Sequence, residues 1–298
     1  MPEVDPHPSH DGARPFRADD GVVLHRTIDA ATGDGVLAHA LVVHGFAEHG
    51  GRYDALARRW SAEGIEVHRL DLRGHGRSPG TRARIDDADR YVADLVGVLS
   101  ELQGRSARVA AFGHSFGGAL VLRAAQTRPD LLDAVAVTAP FLRSALGDPA
   151  WLLAVARAAS RWLPNLRTRP LDAGAVSRDP EQVRAYRDDP LVDRGGARLA
   201  SVRELHDLGA RVLRDAAVPT PPTLLVHGSA DAVADPDGSR AYAARAEKRG
   251  NGHDVTVREV DGGAHALLHD HDAERVLAGT TSWLLDRLGL PARSGTEE

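Results

Sequence analysis

The sequence predicts an α/β fold: a mostly parallel central sheet, helices on both faces and a helical cap inserted between two strands. Short apolar runs alternate along the chain with longer segments of helical spacing, a pattern typical of parallel strands joined by helices. Between Pro140 and Pro222 no convincing strand occurs, but two amphipathic helical pieces lie near 149–163 and 196–215. We therefore expect residues 143–215 to form a cap, called the cap segment below.

The apolar runs and helical patterns place the elements in order along the chain. Strands are predicted at 22–27, 37–43, 65–70, 109–112, 134–137, 224–226 and 255–260. Helices outside the cap are predicted at 53–63, 88–102, 116–125 and 273–288. Residues 20–142 and 216–290 are expected to form the core. Residues 1–19, rich in Pro, His and Asp, are expected to be a disordered tail.

Composition excludes several classes of protein. The 298 residues, 42% hydrophobic and 27% charged, are typical of a globular chain with a sizeable core. The net charge of −5 gives no indication of a nucleic-acid partner. The absence of cysteine excludes disulfides, thiolate nucleophiles and zinc–thiolate sites. The polar amino terminus and the lack of a run of about 18 apolar residues lead us to expect a cytoplasmic protein.

The strongest chemical motif is Gly-His-Ser-Phe-Gly at 113–117. It follows an apolar strand and precedes a helical run, which is the setting of a nucleophile elbow. In such a turn the serine hydroxyl is held above the sheet, next to a helix N-terminus that favours negative charge. Ser115 is therefore the predicted nucleophile.

A serine hydroxyl needs a base to attack. In a fold with this elbow the acid and then the histidine follow the serine along the chain. His265, directly after the last predicted strand, is the predicted base. His253 precedes that strand and would lie at the wrong end of the sheet. His269 and His271 fall where the final helix begins, and we expect them to be solvated or to support the site.

The carboxylate that orients the base is predicted to be Asp231, just past the strand at 224–226. Asp235 and Asp237 are close rivals, but they lie in a turn and are expected to cap the next helix. His227 is expected to be a packed or hydrogen-bonded residue at the strand end.

Acyl transfer also requires hydrogen-bond donors for the oxyanion. The backbone N–H groups of Phe116 and of Phe46, in the loop 44–50, are the predicted donors. His44 and His49 in that loop are expected to be structural and not metal ligands, because the ligand spacing of a metal site is missing. We expect neither a cofactor nor a metal.

Together these segments resemble the monoacylglycerol lipase type of serine hydrolase, which has the α/β-hydrolase fold. The resemblance runs from about residue 20 to 288. It includes His-Gly-Phe-Ala-Glu-His-Gly-Gly-Arg-Tyr (44–53), Asp-Leu-Arg-Gly-His-Gly-Arg-Ser (71–78), the elbow, Val-His-Gly-Ser-Ala-Asp (226–231) and lid-like segments at 163–166, 171–172, 177–180 and 185–192. It implies Ser115, Asp231 and His265 as the triad and Phe46 and Phe116 as the oxyanion donors.

Three positions depart from the family. A smaller residue is usual at Phe46, Met at Phe116 and Gly at Ala47. These differences bear on the width of the acyl pocket and on chain-length preference, and they leave the chemistry unchanged.

The resemblance implies a serine carboxylic-ester hydrolase, a monoacylglycerol lipase that releases a fatty acid and glycerol through an acyl-enzyme. Lysophospholipase and short-chain carboxylesterase are the alternatives. A peptidase would need an acidic cluster in the cap, for which Asp188, Asp189 and Asp193 are candidates that turns and capping also explain. A binding protein on the same scaffold is disfavoured because all three triad residue types are present.

The expected partner is an acylglycerol or another small ester, and the oligomeric state is left open. The first cap helix is rich in apolar residues, which either pack on the core or form peripheral lipid contacts. They are Trp151, Leu152, Leu153, Val155, Trp162 and Leu163.

Overall fold

The computed structural model describes residues 12–33, 35–105, 107–147, 157–218, 220–247 and 254–293. The strands there are β1 (Phe16–Arg17), β2 (Val23–Leu24), β3 (Arg26–Asp29), β4 (Ala38–Val43), β5 (Ile65–Leu70), β6 (Arg108–His114), β7 (Ala134–Thr138), β8 (Thr223–Gly228) and β9 (Val255–Val260). The α-helices with defined ends are α1 (Asp54–Ala62), α2 (Ala88–Gln103), α3 (Ser115–Thr127), α4 (Pro180–Asp188), α5 (Leu199–Arg214), α6 (Pro236–Glu247) and α7 (Ala273–Leu288).

Seven strands form one sheet in the order β3-β5-β4-β6-β7-β8-β9. Only β3 pairs antiparallel, with β5, and the six remaining strands pair parallel. Parallel strands place their carboxyl ends at one edge of the sheet, and ligand sites of open α/β sheets lie at that edge. The loops that carry Phe46, Ser115, Asp231 and His265 all leave the sheet there. The predicted α/β-hydrolase fold is confirmed.

The sheet is buried on both faces, which explains the nearly continuous apolar strands. In β4, Leu41 and Val43 face one core cluster, whereas Ala40 and Val42 face the other. The first cluster is covered by α2, α3, α5 and α6, and the second by α1 and α7. Trp60 of α1 is fully buried in the second cluster, and its indole N–H donates to the Thr281 hydroxyl of α7 at 3.0 Å.

The predicted disordered tail is too long. Phe16 and Arg17 form β1 and pair antiparallel with β2, and the Ile28 amide donates to the Gly12 carbonyl at 2.9 Å. The Phe16 ring packs against the first core cluster. This long-range contact orders a segment whose composition alone indicates disorder. Residues 1–11 lie outside the described residues.

The described residues of the cap segment contain helices and turns but no extended strand. Helix α5 agrees with the second predicted helical piece, while the first is described only at 157–162. Trp151, Leu152, Leu153 and Val155 therefore lie outside the described residues. Helix α4 was not predicted. Its start is nevertheless encoded locally, because the Asp179 carboxylate accepts from the Glu181 amide at 2.8 Å and Pro180 occupies the first turn.

No helix in the described ranges is both long enough and apolar enough to cross a bilayer.

Candidate active site

Ser115 lies at the junction of β6 and α3, in the left-handed backbone region with φ of +52°. The backbone around it is packed too closely for side chains. A Cβ atom at Gly113 would lie 2.5 Å from the Gly117 carbonyl oxygen, and one at Gly117 would lie 2.3 Å from that of His44. The glycines of the motif are therefore required by contacts among the strand end, the helix start and the loop after β4. The result is a strained turn, as a nucleophile elbow requires.

His265 follows β9, and its Nδ1 lies 2.7 Å from Oδ2 of Asp231, 34 residues earlier. Because the carboxylate can only accept, Nδ1 carries the proton and Nε2 is left unprotonated in the neutral ring. Both side chains are buried, with exposed fractions of 6% and 0%. The structure brings His265 and Ser115 to the wall of one cavity.

Asp231 is held by four donors. Its Oδ1 accepts from the amides of Val233 at 2.8 Å and Ala234 at 3.0 Å, and its Oδ2 accepts from His265 and from His227. Burial alone would raise the pKa of this carboxyl, but the two histidines outweigh burial and hold the pKa well below its ordinary value. Asp231 is therefore ionised at neutral pH.

His227 is hydrogen-bonded at the end of β8, as the sequence predicts, and one of its partners is Asp231. Its Nε2 lies 3.2 Å from Oδ2 of Asp231 and 3.1 Å from the carbonyl oxygen of Ala234, and both are acceptors. That nitrogen must carry the proton, so Nδ1 accepts from the Ser239 hydroxyl at 2.7 Å. His227 thus holds the same carboxylate oxygen of Asp231 that His265 bonds.

The rival acids occupy a different place. Asp235 accepts from the Asp237 amide at 2.9 Å in the first turn of α6, and Asp237 pairs with Arg240. This is the capping role expected of that turn. Of the other histidines considered, His269 packs edge-on against Tyr53, at 5.9 Å between ring centroids, and burial lowers its pKa to about 3. His253 lies outside the described residues.

The two predicted oxyanion donors lie on neighbouring segments. Phe116 is the second residue of α3, so its amide belongs to the first turn, which lacks intrahelical acceptors. Its ring is fully buried against Tyr91 and lies outside the cavity wall that the described residues form. The Phe46 ring does line the cavity. Of the two phenylalanines that depart from the family pattern, only Phe46 therefore narrows the cavity.

The loop after β4 is fixed by buried hydrogen bonds. The His44 ring bonds the Gly45 carbonyl at 2.7 Å and accepts from the Leu72 amide at 3.0 Å. The His49 Nε2 lies 2.8 Å from a carboxylate oxygen of Asp189 in the cap segment. Both histidines are thus engaged within the protein and hold the loop in shape.

Glu48, which the sequence analysis did not single out, also faces the cavity. It accepts from the Gly45 amide at 2.6 Å, the Tyr53 hydroxyl at 2.7 Å and Arg52 Nε at 2.8 Å. Burial opposes its ionisation, yet Arg52 and the Tyr53 hydrogen bond keep the pKa of Glu48 below its ordinary value. The only sequence signal was the Glu-His-Gly-Gly-Arg-Tyr segment as a whole.

His114 packs against the base, with 4.8 Å between its ring centroid and that of His265. Burial lowers the pKa of His114 to about 4, and its Nδ1 lies 3.1 Å from the Thr138 hydroxyl. His114 is therefore neutral at neutral pH and adds no second positive charge beside His265.

The cavity has a volume of about 100 Å³. Its polar wall is formed by Ser115, His265, Glu48 and His114. Its apolar wall is formed by Phe46, Phe141, Leu171, Val176, Leu205 and Val233. The arrangement can hold an apolar group next to a nucleophile and a base.

Within the described ranges, one group of residues has metal-like spacing: His39, Glu66 and His68, whose ligand atoms lie within 4.8 Å of one another. His39 and Glu66 lie near the amino ends of β4 and β5, opposite the Ser115 edge, and His68 lies in the middle of β5. The Glu66 oxygen that lies 3.0 Å from His68 Nε2 also accepts a hydrogen bond from Arg105 at 3.1 Å. We therefore interpret this group as a structural cluster in which Glu66 is held by His68 and by Arg105.

Comparisons with known proteins agree with this architecture. Residues 36–272 match the hydrolase family described as serine aminopeptidase, S33. The chain is 36% identical to a monoacylglycerol lipase of Mycolicibacterium smegmatis over 83% of this chain and 88% of that protein. It is 31% identical to human monoglyceride lipase over 76% of this chain and 74% of that protein.

A crystal structure of the monoacylglycerol lipase of Paleococcus ferrophilus superimposes with a TM-score of 0.79. The two sequences are 29% identical, and the superposition includes 89% of this chain and 99% of the other. The family description refers to peptidases, whereas these relatives are named for lipid hydrolysis. The chain therefore belongs to the serine aminopeptidase S33 family of α/β-hydrolases, as a serine hydrolase of the monoacylglycerol lipase type.

Proposed function

We propose that this chain hydrolyses monoacylglycerols through an acyl-enzyme, with Ser115 as nucleophile, His265 as base and Asp231 as the orienting acid. The observation that carries the proposal is the buried hydrogen bond between Asp231 and His265, together with the cavity that both His265 and Ser115 line. The similarity to monoacylglycerol lipases over most of the chain supports the substrate class.

In this mechanism Ser115 attacks the ester carbonyl while Nε2 of His265 takes the hydroxyl proton. The amides of Phe46 and Phe116 donate to the oxyanion of the tetrahedral intermediate. The intermediate collapses, and His265 gives its proton to the departing glycerol oxygen. Water, deprotonated by His265, then attacks the acyl-enzyme, and the fatty acid leaves as Ser115 regains its proton.

The electrostatics of the buried side chains suit this cycle. The positive charge formed on His265 is balanced by Asp231, which is ionised. Neutral His114 on the other side does not oppose that charge. Because these side chains are already in place before the reaction, they need little reorganisation when the transition state forms.

The two walls of the cavity favour an ester that has one apolar and one polar end. Acyl groups fit the wall that contains Phe141 and Leu205, and the Glu48 carboxylate offers an acceptor to glycerol hydroxyls. Phe46 narrows the space next to the reacting carbonyl.

A peptidase receives less support from the cap segment. Such an enzyme would need carboxylates able to bind the substrate ammonium. Asp189 is buried against His49 at 2.8 Å, and Asp193 forms a two-oxygen pair with Arg167 at 3.1 Å. Two of the three candidate acids are thus already engaged.

Fatty-acid release from a substrate panel tests the proposal. We expect monoacylglycerol to be preferred over diacylglycerol, lysophosphatidylcholine, a short p-nitrophenyl ester and an aminoacyl anilide. Ser115→Ala should lower kcat by about 10⁶-fold, because the nucleophile is lost. Turnover of the short ester alone would indicate a small-ester esterase, of lysophosphatidylcholine alone a lysophospholipase, and of the anilide alone a peptidase.

A matched pair of variants tests the acid assignment. Asp231→Asn removes the charge and the acceptor that orient His265, so we expect kcat to fall by about 10⁴-fold. Asp235→Asn makes the same chemical change four residues later, and kcat should stay within about twofold of wild type because only a helix cap is altered. A larger loss in Asp235→Asn would transfer the role to that residue.

We also propose that residues 20–142 and 216–290 form the core and 143–215 the cap, and that the outer face of the cap contacts lipid. Large apolar side chains are exposed there: Trp162 (87%), Leu163, Leu166 and Leu171. Leu171 also lines the cavity. Because Leu171 is both exposed and part of the cavity wall, it offers an apolar contact to an acyl chain that enters from a lipid aggregate.

Sedimentation with phosphatidylcholine vesicles tests the lipid contact. Trp162→Ser should weaken vesicle binding about tenfold, because one large apolar side chain no longer enters the interface. Hydrolysis of a soluble short ester should not change. Val36→Ser, at an exposed apolar residue outside the cap, is the control and should bind like wild type. Equal binding by all three proteins would contradict a cap–lipid contact.

A further inference from the structure

We propose that Arg178 of the cap segment and Asp270 of the loop after β9 are positioning residues for His265. The proposal rests on the proposed function, in which His265 is the base. It gives the cap segment a second role, because it makes the cap a structural support of the catalytic loop as well as a cover for the substrate.

The backbone on both sides of His265 is held by these contacts. The amide of Ala264, just before the histidine, donates to Oδ2 of Asp270 at 3.0 Å. The amide of Ala266, just after it, donates to the Val176 carbonyl in the cap segment at 2.8 Å. The position of the imidazole is therefore set by Asp270 on one side and by the cap on the other.

Arg178 connects these two supports. Its backbone amide donates to Oδ1 of Asp270 at 2.9 Å, and its Nε donates to Oδ2 at 2.8 Å. The Asp270 side chain is fully buried, so its charge has to be balanced within the protein. The neighbouring Ser177 hydroxyl donates to the His269 carbonyl at 2.6 Å.

The pair is placed to affect the rate more than substrate binding. Neither Arg178 nor Asp270 is part of the described wall of the cavity. Without the guanidinium, the buried carboxylate would lose its cationic partner, and the loop 264–270 would relax. A misplacement of about 1 Å at a catalytic group can lower a rate by about 100-fold.

The test measures kcat and KM for a short p-nitrophenyl ester, so that it does not depend on monoacylglycerol as substrate. For Arg178→Ala we expect kcat to fall between about 10- and 100-fold with KM nearly unchanged. Arg178→Lys keeps a cationic donor and should recover part of the loss. Asp270→Asn should resemble Arg178→Ala.

Arg275→Ala is the matched control. Arg275 pairs with Asp272 at 2.7 Å, as Arg178 does at 2.8 Å, but within the described residues both side-chain hydrogen bonds of Arg275 go to Asp272. The kcat of Arg275→Ala should stay near that of the wild-type protein.

A proton NMR spectrum supplies a second readout. The downfield signal of His265 Nδ1–H, identified by its loss in His265→Ala, should broaden or disappear in Arg178→Ala and persist in Arg275→Ala.

The outcomes separate the two proposals. If His265→Ala keeps wild-type activity, the proposed function fails. If His265→Ala is inactive but folded Arg178→Ala and Asp270→Asn keep the wild-type kcat and proton signal, the positioning role alone fails. An effect confined to KM, or equal losses in Arg178→Ala and Arg275→Ala, would also overturn the positioning role. Should Arg178→Ala not fold, Arg178→Lys and Asp270→Asn decide in the same way.

Discussion

The close approach of three backbone segments around Ser115 is the constraint on which the rest of the structure depends. The end of β6, the start of α3 and the loop after β4 touch so closely that Gly113 and Gly117 have no room for a Cβ atom. This contact gives Ser115 its left-handed backbone and brings the amide of Phe116 next to the loop that contains Phe46. The parallel sheet brings Asp231 and His265 to the site, because β8 and β9, which precede these two residues, end at the same edge of the sheet as β6. The site is thus a consequence of strand direction and of one tight turn.

Three buried carboxylates hold the loops around the cavity in place. Asp231 is removed from water, so its charge is stable only because four donors surround it. Asp270 follows the same principle next to His265, where its donors come from the loop itself and from the cap segment. Glu48 does so in the loop after β4. Each carboxylate fixes the loop that surrounds it, which links the electrostatics of the cavity to its shape.

Features that depend on neighbouring residues could be predicted from the sequence, whereas contacts between residues far apart in sequence could not. The elbow is a five-residue pattern between a strand and a helix, so Ser115 could be placed from local sequence, and the order of elements predicted the sheet. The link between Arg178 and Asp270 spans 92 residues and follows no spacing rule, so it appears only in the fold. His227 lies only four residues from Asp231, yet its role depends on a turn that composition does not specify. Order at Phe16 was missed for the same reason, since its partners are distant in sequence.

In the proposed mechanism His265 activates Ser115 for attack. The most direct measurement is mass-spectrometric mapping of the protein after reaction with a fluorophosphonate, which captures an activated serine covalently. We expect one adduct, on Ser115, formed rapidly in the wild-type protein and at a strongly reduced rate in His265→Ala. An adduct on a different serine, or labelling of Ser115 at an unchanged rate in His265→Ala, would contradict it.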